Sequence, residues 1–79
     1  RNYPRSKAQR LVDEAEDSVA GARPALLDLS ELGMVRVTSR VYDLDWLEGL
    51  DLSRNRLMRM SPDLAGMDNL VDLDLRHNR

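Results

Sequence analysis

Cysteine is absent from this 79-residue chain, and so is phenylalanine. Without cysteine no disulfide can staple the fold. Small extracellular domains usually depend on such staples, so an intracellular (cytoplasmic) setting is expected. Only Tyr3, Tyr42 and Trp46 are aromatic, which leaves Leu, Val and Met to fill a core. No apolar run approaches the ~20 residues that span a bilayer, and no signal-peptide pattern opens the chain. The first residue is Arg1 rather than Met, so an internal fragment or a processed product is expected. Basic excess is lacking too. The net charge is −2, whereas a duplex-binding domain usually shows a basic face or a pI above about 9.

Catalytic and metal chemistry are equally thin. His77 is the single histidine, and with no cysteine and no second histidine a zinc site lacks convincing support. A catalytic histidine needs a nearby nucleophile and an orienting acid. Ser53, Asp51 and Asp74 are the nearest candidates, on a face expected to be open to water. Gly21, Gly33, Gly49 and Gly66 are scattered, so no glycine loop cradles a phosphate. No enzymatic activity, cofactor or metal is expected.

What the chain does have is a period. Leu27, Leu50 and Leu73 are 23 apart, as are Leu29, Leu52 and Leu75. Leu47/Leu70, Asn55/Asn78, Met34/Leu57, Val37/Met60, Val41/Leu64 and Leu44/Met67 keep the same interval. Hydrophobic residues make up 42% of the chain, too many for a disordered tail. A fixed period of 20–50 residues signals a stacked-repeat architecture.

The unit at 47–69 is the clearest and fits L-x-x-L-x-L-x-x-N-x-L. Leu50 and Leu52 alternate with Gly49, Asp51 and Ser53, which predicts a strand with one buried and one wet face. Asn55 falls where the chain must turn, and its amide can bond backbone groups there. Leu57, Met60, Leu64 and Met67 recur at three and four, which suits a helical or 3₁₀ return leg. Ser61 as N-cap and Pro62 at the first helical position suit its start. Met58 falls outside the stripe and is expected to face out. The unit at 24–46 departs twice, with Pro24 in the first leucine slot and Leu32 in the asparagine slot. Proline is tolerated at the start of an edge strand. The unit at 70–79 has its strand and stops.

Residues 1–23 form an N-terminal cap in this reading, with a helix from Ser6 to Ala20. Ser6 and Gln9 form a capping box. Ala8, Leu11, Val12, Ala15 and Val19 share one face, and Gly21 stops the helix. Arg10, Asp13, Glu14, Glu16 and Asp17 lie opposite. The helix would cover the open end of the first repeat, where a bare strand edge invites pairing.

The repeat residues at 24–79 resemble the leucine-rich-repeat superfamily. The period, the absence of cysteine caps and the leading helix are similar to small cytosolic members of the Ras-suppressor type. The resemblance implies an α/β fold: a right-handed leucine-rich-repeat solenoid of three 23-residue units with a short parallel sheet and an N-terminal capping helix. It also implies a protein–protein interaction module, an intracellular scaffold or adaptor engaging a partner through its concave strand face. Two other readings stand beside it. The segment is either a regulatory or substrate-recognition part of a larger enzyme, or a structural subunit of a large assembly.

Stacked strands lie about 4.8 Å apart, so the middle wet positions Asp28, Asp51 and Asp74 form an acidic column, with Asp72 beside it. Like charges opposite one another weaken a sheet, at roughly 0.8 kcal/mol per pair 5 Å apart in water. A basic partner surface would relieve that repulsion; ordinary solvation is the plainer alternative. Ser53, Arg76 and His77 complete the face offered to a partner. Arg36/Arg59 and Arg56/Arg79, with Arg54, predict a basic rim at the turns. Trp46 precedes the second strand. It is either a binding hot spot or a ring folded over Val19 or Tyr42.

Overall fold

A computed structural model describes residues 6–18, 21 and 23–79. The architecture is α/β, with one helix and an open three-stranded parallel sheet. The strands are short: β1 is Leu26–Asp28, β2 is Gly49–Asp51 and β3 is Asp72–Asp74, in the order β1-β2-β3. Each begins one residue earlier than the leucine spacing suggests. The register is that of the sequence period, with Leu27 opposite Leu50 opposite Leu73, and Asp28 opposite Asp51 opposite Asp74. Ladder-like bonds continue past the strand ends, with Leu29 N donating to Asp51 O and Leu52 N to Asp74 O, both at 2.8 Å.

Parallel strands need a long crossover, and here each crossover carries a five-residue 3₁₀ segment, Ser39–Asp43 or Pro62–Gly66. The second begins as expected, with Pro62 in its first turn and the Ser61 Oγ accepting from Asp63 N at 3.1 Å. Val41, Leu44 and Met67 bring the crossovers onto the sheet, where they share one core with Leu27, Leu29, Leu47, Leu50, Leu52 and Leu57. Leu73 is 38% exposed although Leu50 is buried. Nothing among the described residues packs on the far side of β3, so Leu73 and Leu75 stay partly exposed there.

Asn55 explains how adjacent units lock. It is buried, and its Oδ1 accepts from the backbone N–H groups of Leu32 and Met34 at 3.1 and 3.0 Å. Its Nδ2 donates to the carbonyls of Leu29 and Leu52, both at 3.0 Å, and of Ser53 at 3.2 Å. The side chain therefore bonds both its own turn and the turn of the preceding unit. Asn78 repeats the arrangement, accepting from Leu57 N at 2.9 Å and donating to Leu52 O and Leu75 O. Leu32 holds the equivalent slot in the first unit and offers no such amide.

Helix α1 spans Lys7–Asp17, three residues short of the expected end. Ser18 closes it in extended conformation, its hydroxyl donating to Ala15 O at 2.6 Å, so Gly21 is not the stop. Ser6 caps the other end by accepting from Gln9 N at 3.1 Å. The Gln9 amide does not return that bond as a capping box requires. It donates to Asp13 Oδ1 and accepts from the Thr38 hydroxyl. Ala8, Val12 and Ala15 are buried, as the helical spacing predicts; Val19 and Ala20 lie outside the described residues. Val12 and Ala15 join the core containing Leu27 and Leu29. Glu16 is salt-bridged to Arg40 in the first 3₁₀ segment. The helix thus seals the first unit from the crossover side.

Candidate functional site: an acidic trough on the sheet

One face of the sheet is covered by the crossovers. The other is an open trough of about 640 Å³, lined by all three residues of each strand together with Leu75 and Arg76. Side chains alternate across a strand, so two rows of outward positions line up across it. One row is Leu26, Gly49 and Asp72; the other is Asp28, Asp51 and Asp74.

The aspartate row is built into the turns. In each unit the carboxylate Oδ1 accepts from the backbone N–H two residues on: Ser30 at 2.9 Å, Ser53 at 2.9 Å, Arg76 at 3.0 Å. This is the local turn that aspartate favours. The side chain at the same position adds a second bond. The Ser30 and Ser53 hydroxyls donate to Oδ1 at 2.6 Å. In the third unit Arg76 takes the serine's place and makes a two-pronged contact, Nε to Oδ1 at 3.0 Å and Nη2 to Oδ2 at 2.8 Å.

The three carboxylates consequently differ. Arg76 uses both oxygens of Asp74. Its hydrogen bonds, then its charge, hold the Asp74 carboxyl down at about 2, while Asp74 pushes the Arg76 guanidinium up. Hydrogen bonds from Ser30 lower the Asp28 carboxyl, with a smaller contribution from the Lys7 charge. At Asp28 and Asp51 the described hydrogen bonds all fall on Oδ1. Two carboxylate oxygens on neighbouring strands therefore remain for a donor from outside.

Leu26 is the apolar part of the site. It is 66% exposed and its Cδ2 folds over Gly49, leaving no room for a Cβ there. Gly49 is buried for that reason, not wet as the alternation suggests. A long side chain can lay an aliphatic stem on Leu26 and reach the aspartates with its tip.

The trough brings together Asp28, Asp51, Asp72, Asp74 and Arg76 of the sequence-predicted residues. Three others lie elsewhere. Ser53 is only 7% exposed: the chain turns at that point, and its hydroxyl folds back onto Asp51 rather than facing solvent. His77 is exposed and sits past the strand at φ 61, on the rim. Trp46 lies half-buried against the core, with the Arg23 guanidinium stacked 4.2 Å from its ring centroid. Its indole N–H is buried without a hydrogen-bond partner among the described residues. The ring therefore serves the core and Arg23, away from the trough.

Leu26 and Ser30 carry no site signal of their own in the sequence, although they sit one period before Gly49 and Ser53. A second pattern is hidden by residue type. Glu31, Arg54 and His77 are one period apart and all adopt left-handed backbone, φ 57, 57 and 61. Three different residue types thus share one repeated backbone geometry.

Among the described residues, no group of three or more His, Asp or Glu side chains is placed to hold a metal ion, and no helix is long and apolar enough to cross a membrane. No protein-family model, curated protein or solved structure matches the chain.

Proposed function

We propose that the chain is a leucine-rich-repeat protein-interaction module, a scaffold or adaptor of the cell interior, whose trough takes a basic segment of another protein. The 23-residue register of strands, crossovers and asparagines supports the repeat assignment. One observation carries the binding reading: Asp28 and Asp51 each hold one oxygen in their own turn and leave the other toward the trough, while Arg76 already closes Asp74. A lysine or arginine from the partner supplies the donor that the first two units lack, and Leu26 receives its methylene stem. Arginine's fork suits such carboxylates.

The test is binding of a short lysine- and arginine-rich fluorescent peptide, read by anisotropy, to the chain and to its Asp28→Asn/Asp51→Asn variant. Asparagine keeps an Oδ1 acceptor for the serine bonds, so the turns persist while the charge goes. Two exposed charge pairs at up to ~1 kcal/mol each predict an affinity loss of roughly tenfold. Equal binding by both proteins would remove the trough as the docking face.

A further inference from the structure

A second surface of opposite charge lies where the chain leaves the strands. Arg54 and Arg56 follow β2, Arg79 follows β3, and Arg36 and Arg59 lie one period apart just beyond the turns. Backbone bonds set these segments side by side. Arg56 N donates to Met34 O at 2.8 Å and Arg79 N to Leu57 O at 3.1 Å. Arg56 therefore stacks on the 33–35 stretch, and Arg79 on the 56–58 stretch. All five arginines are exposed. The salt bridges among the described residues, Arg40 with Glu16 and Arg76 with Asp74, use none of them.

Within this basic edge stand two apolar side chains that the fold does not need. Val35 and Met58 occupy equivalent positions in adjacent units and are 62% and 73% exposed. Neighbouring positions in the same units, Met34 and Leu57, pack on or in the core, so the exposure is a property of the slot. Large exposed apolar side chains set among arginines are a common composition of binding surfaces.

We propose that this rim docks an acidic, extended segment of a partner protein, its carboxylates on the arginine forks and an apolar side chain between Val35 and Met58. The charge is complementary to carboxylates, which arginine grips two-pronged. A narrow segment fits better than a broad anionic surface. A membrane or duplex would also meet the chain's net charge of −2 and the acidic trough, whereas a single extended strand meets the rim alone. The rim is independent of the trough and survives whether or not the trough binds anything.

The probe is a fluorescein-labelled peptide of alternating glutamate and leucine, titrated with the chain; vesicles of mixed phosphatidylserine and phosphatidylcholine form a second arm. The peptide is expected to bind, with association slowing as NaCl rises from about 50 to about 500 mM. Arg56→Glu/Arg59→Glu should weaken it about tenfold or more, and Arg36→Glu/Arg79→Glu likewise. Met58→Ser should weaken it about threefold. Circular dichroism and thermal melting establish that each exposed-site variant is folded. The proposal is overturned if the chain does not bind the peptide, if both folded double variants bind as well as the parent, or if vesicles are bound in preference to the peptide.

Discussion

Replacing Asn55 by alanine probes the bond network that joins the units. The side chain makes five hydrogen bonds, but they are not equally irreplaceable. Ser53 O still accepts from Glu31 N at 3.1 Å, and Leu52 O still accepts from Asn78 Nδ2 at 2.9 Å. The groups that lose the asparagine are the N–H of Leu32, the N–H of Met34 and the carbonyl of Leu29. At about 1 kcal/mol for each group left without its bond, the loss is about 3 kcal/mol. A chain of this size is expected to have roughly 4–12 kcal/mol in all, so the variant should be visibly weakened. With an m-value of about 1–1.5 kcal/mol/M in urea, the unfolding midpoint falls by about 2 M or more. Asn55→Asp separates the two ends of the amide. The carboxylate still accepts from Leu32 and Met34 but presents an oxygen to the Leu29 and Leu52 carbonyls, so it should be no better than alanine at neutral pH. Asn78→Ala is the internal comparison. That residue is partly exposed, water can replace its bonds, and the cost should be about 1 kcal/mol. Equal losses at the two sites, or a cost below about 1 kcal/mol at Asn55, would refute the account of the asparagine as the clasp between units.

Three further outcomes follow from the site and its turns. Asp74 titrates well below its ordinary 3.8 in the folded chain, at about 2, so its contribution to stability is complete above about pH 3.8 and is lost as pH falls through about 2. In Arg76→Ala a carboxyl-detected NMR titration should move Asp74 back toward 3.8, yet not all the way, because the Arg76 backbone N–H bond remains; an unmoved value would refute the pairing. Asp51→Asn removes the middle charge of the column while keeping its turn. It should raise thermal stability by up to ~1.6 kcal/mol, about 0.8 for each of its two neighbours, even as basic-peptide affinity falls, and a loss of stability would show that the column carries no repulsion. Arg54→Gly relieves a left-handed position in which L side chains are strained, and should be neutral to about 1 kcal/mol stabilising in urea unfolding, where a cost above ~1 kcal/mol would contradict the assigned backbone.

Much of the fold was legible because stacking forces equivalent positions to repeat. Strand register, the turn asparagines, the capped return leg at Ser61-Pro62 and the outward Met58 all follow from residue type at a 23-residue interval. What escaped is what a neighbouring side chain decides. Ser53 obeys the period but not the alternation, since the strand has ended and its hydroxyl turns back to Asp51. Gly49 is buried by Leu26, a residue from another unit at a position that reads as exposed. Gln9 has the spacing of a capping box, yet Thr38 and Asp13 compete for its amide. The left-handed backbone at Glu31, Arg54 and His77 has no residue signature at all, because hydrogen bonds on either side impose it. At the site, the aspartate column was readable, whereas the difference between a carboxylate met by serine and one gripped by arginine needed the geometry.

Each asparagine side chain reaches back to the turn before it, whereas the N–H groups of Leu29, Glu31, Leu52 and Arg54 donate forward to carbonyls of the next unit. These four amides are therefore protected by the unit that follows their own. Protons on the amides of Leu29, Glu31, Leu52 and Arg54 should exchange slowly with deuterated solvent, and those of Leu75 and His77, for which no such carbonyl lies among the described residues, should exchange first in this 79-residue chain. Opening would then travel from the β3 border inward like a zip, with α1 and the first crossover the last to let go.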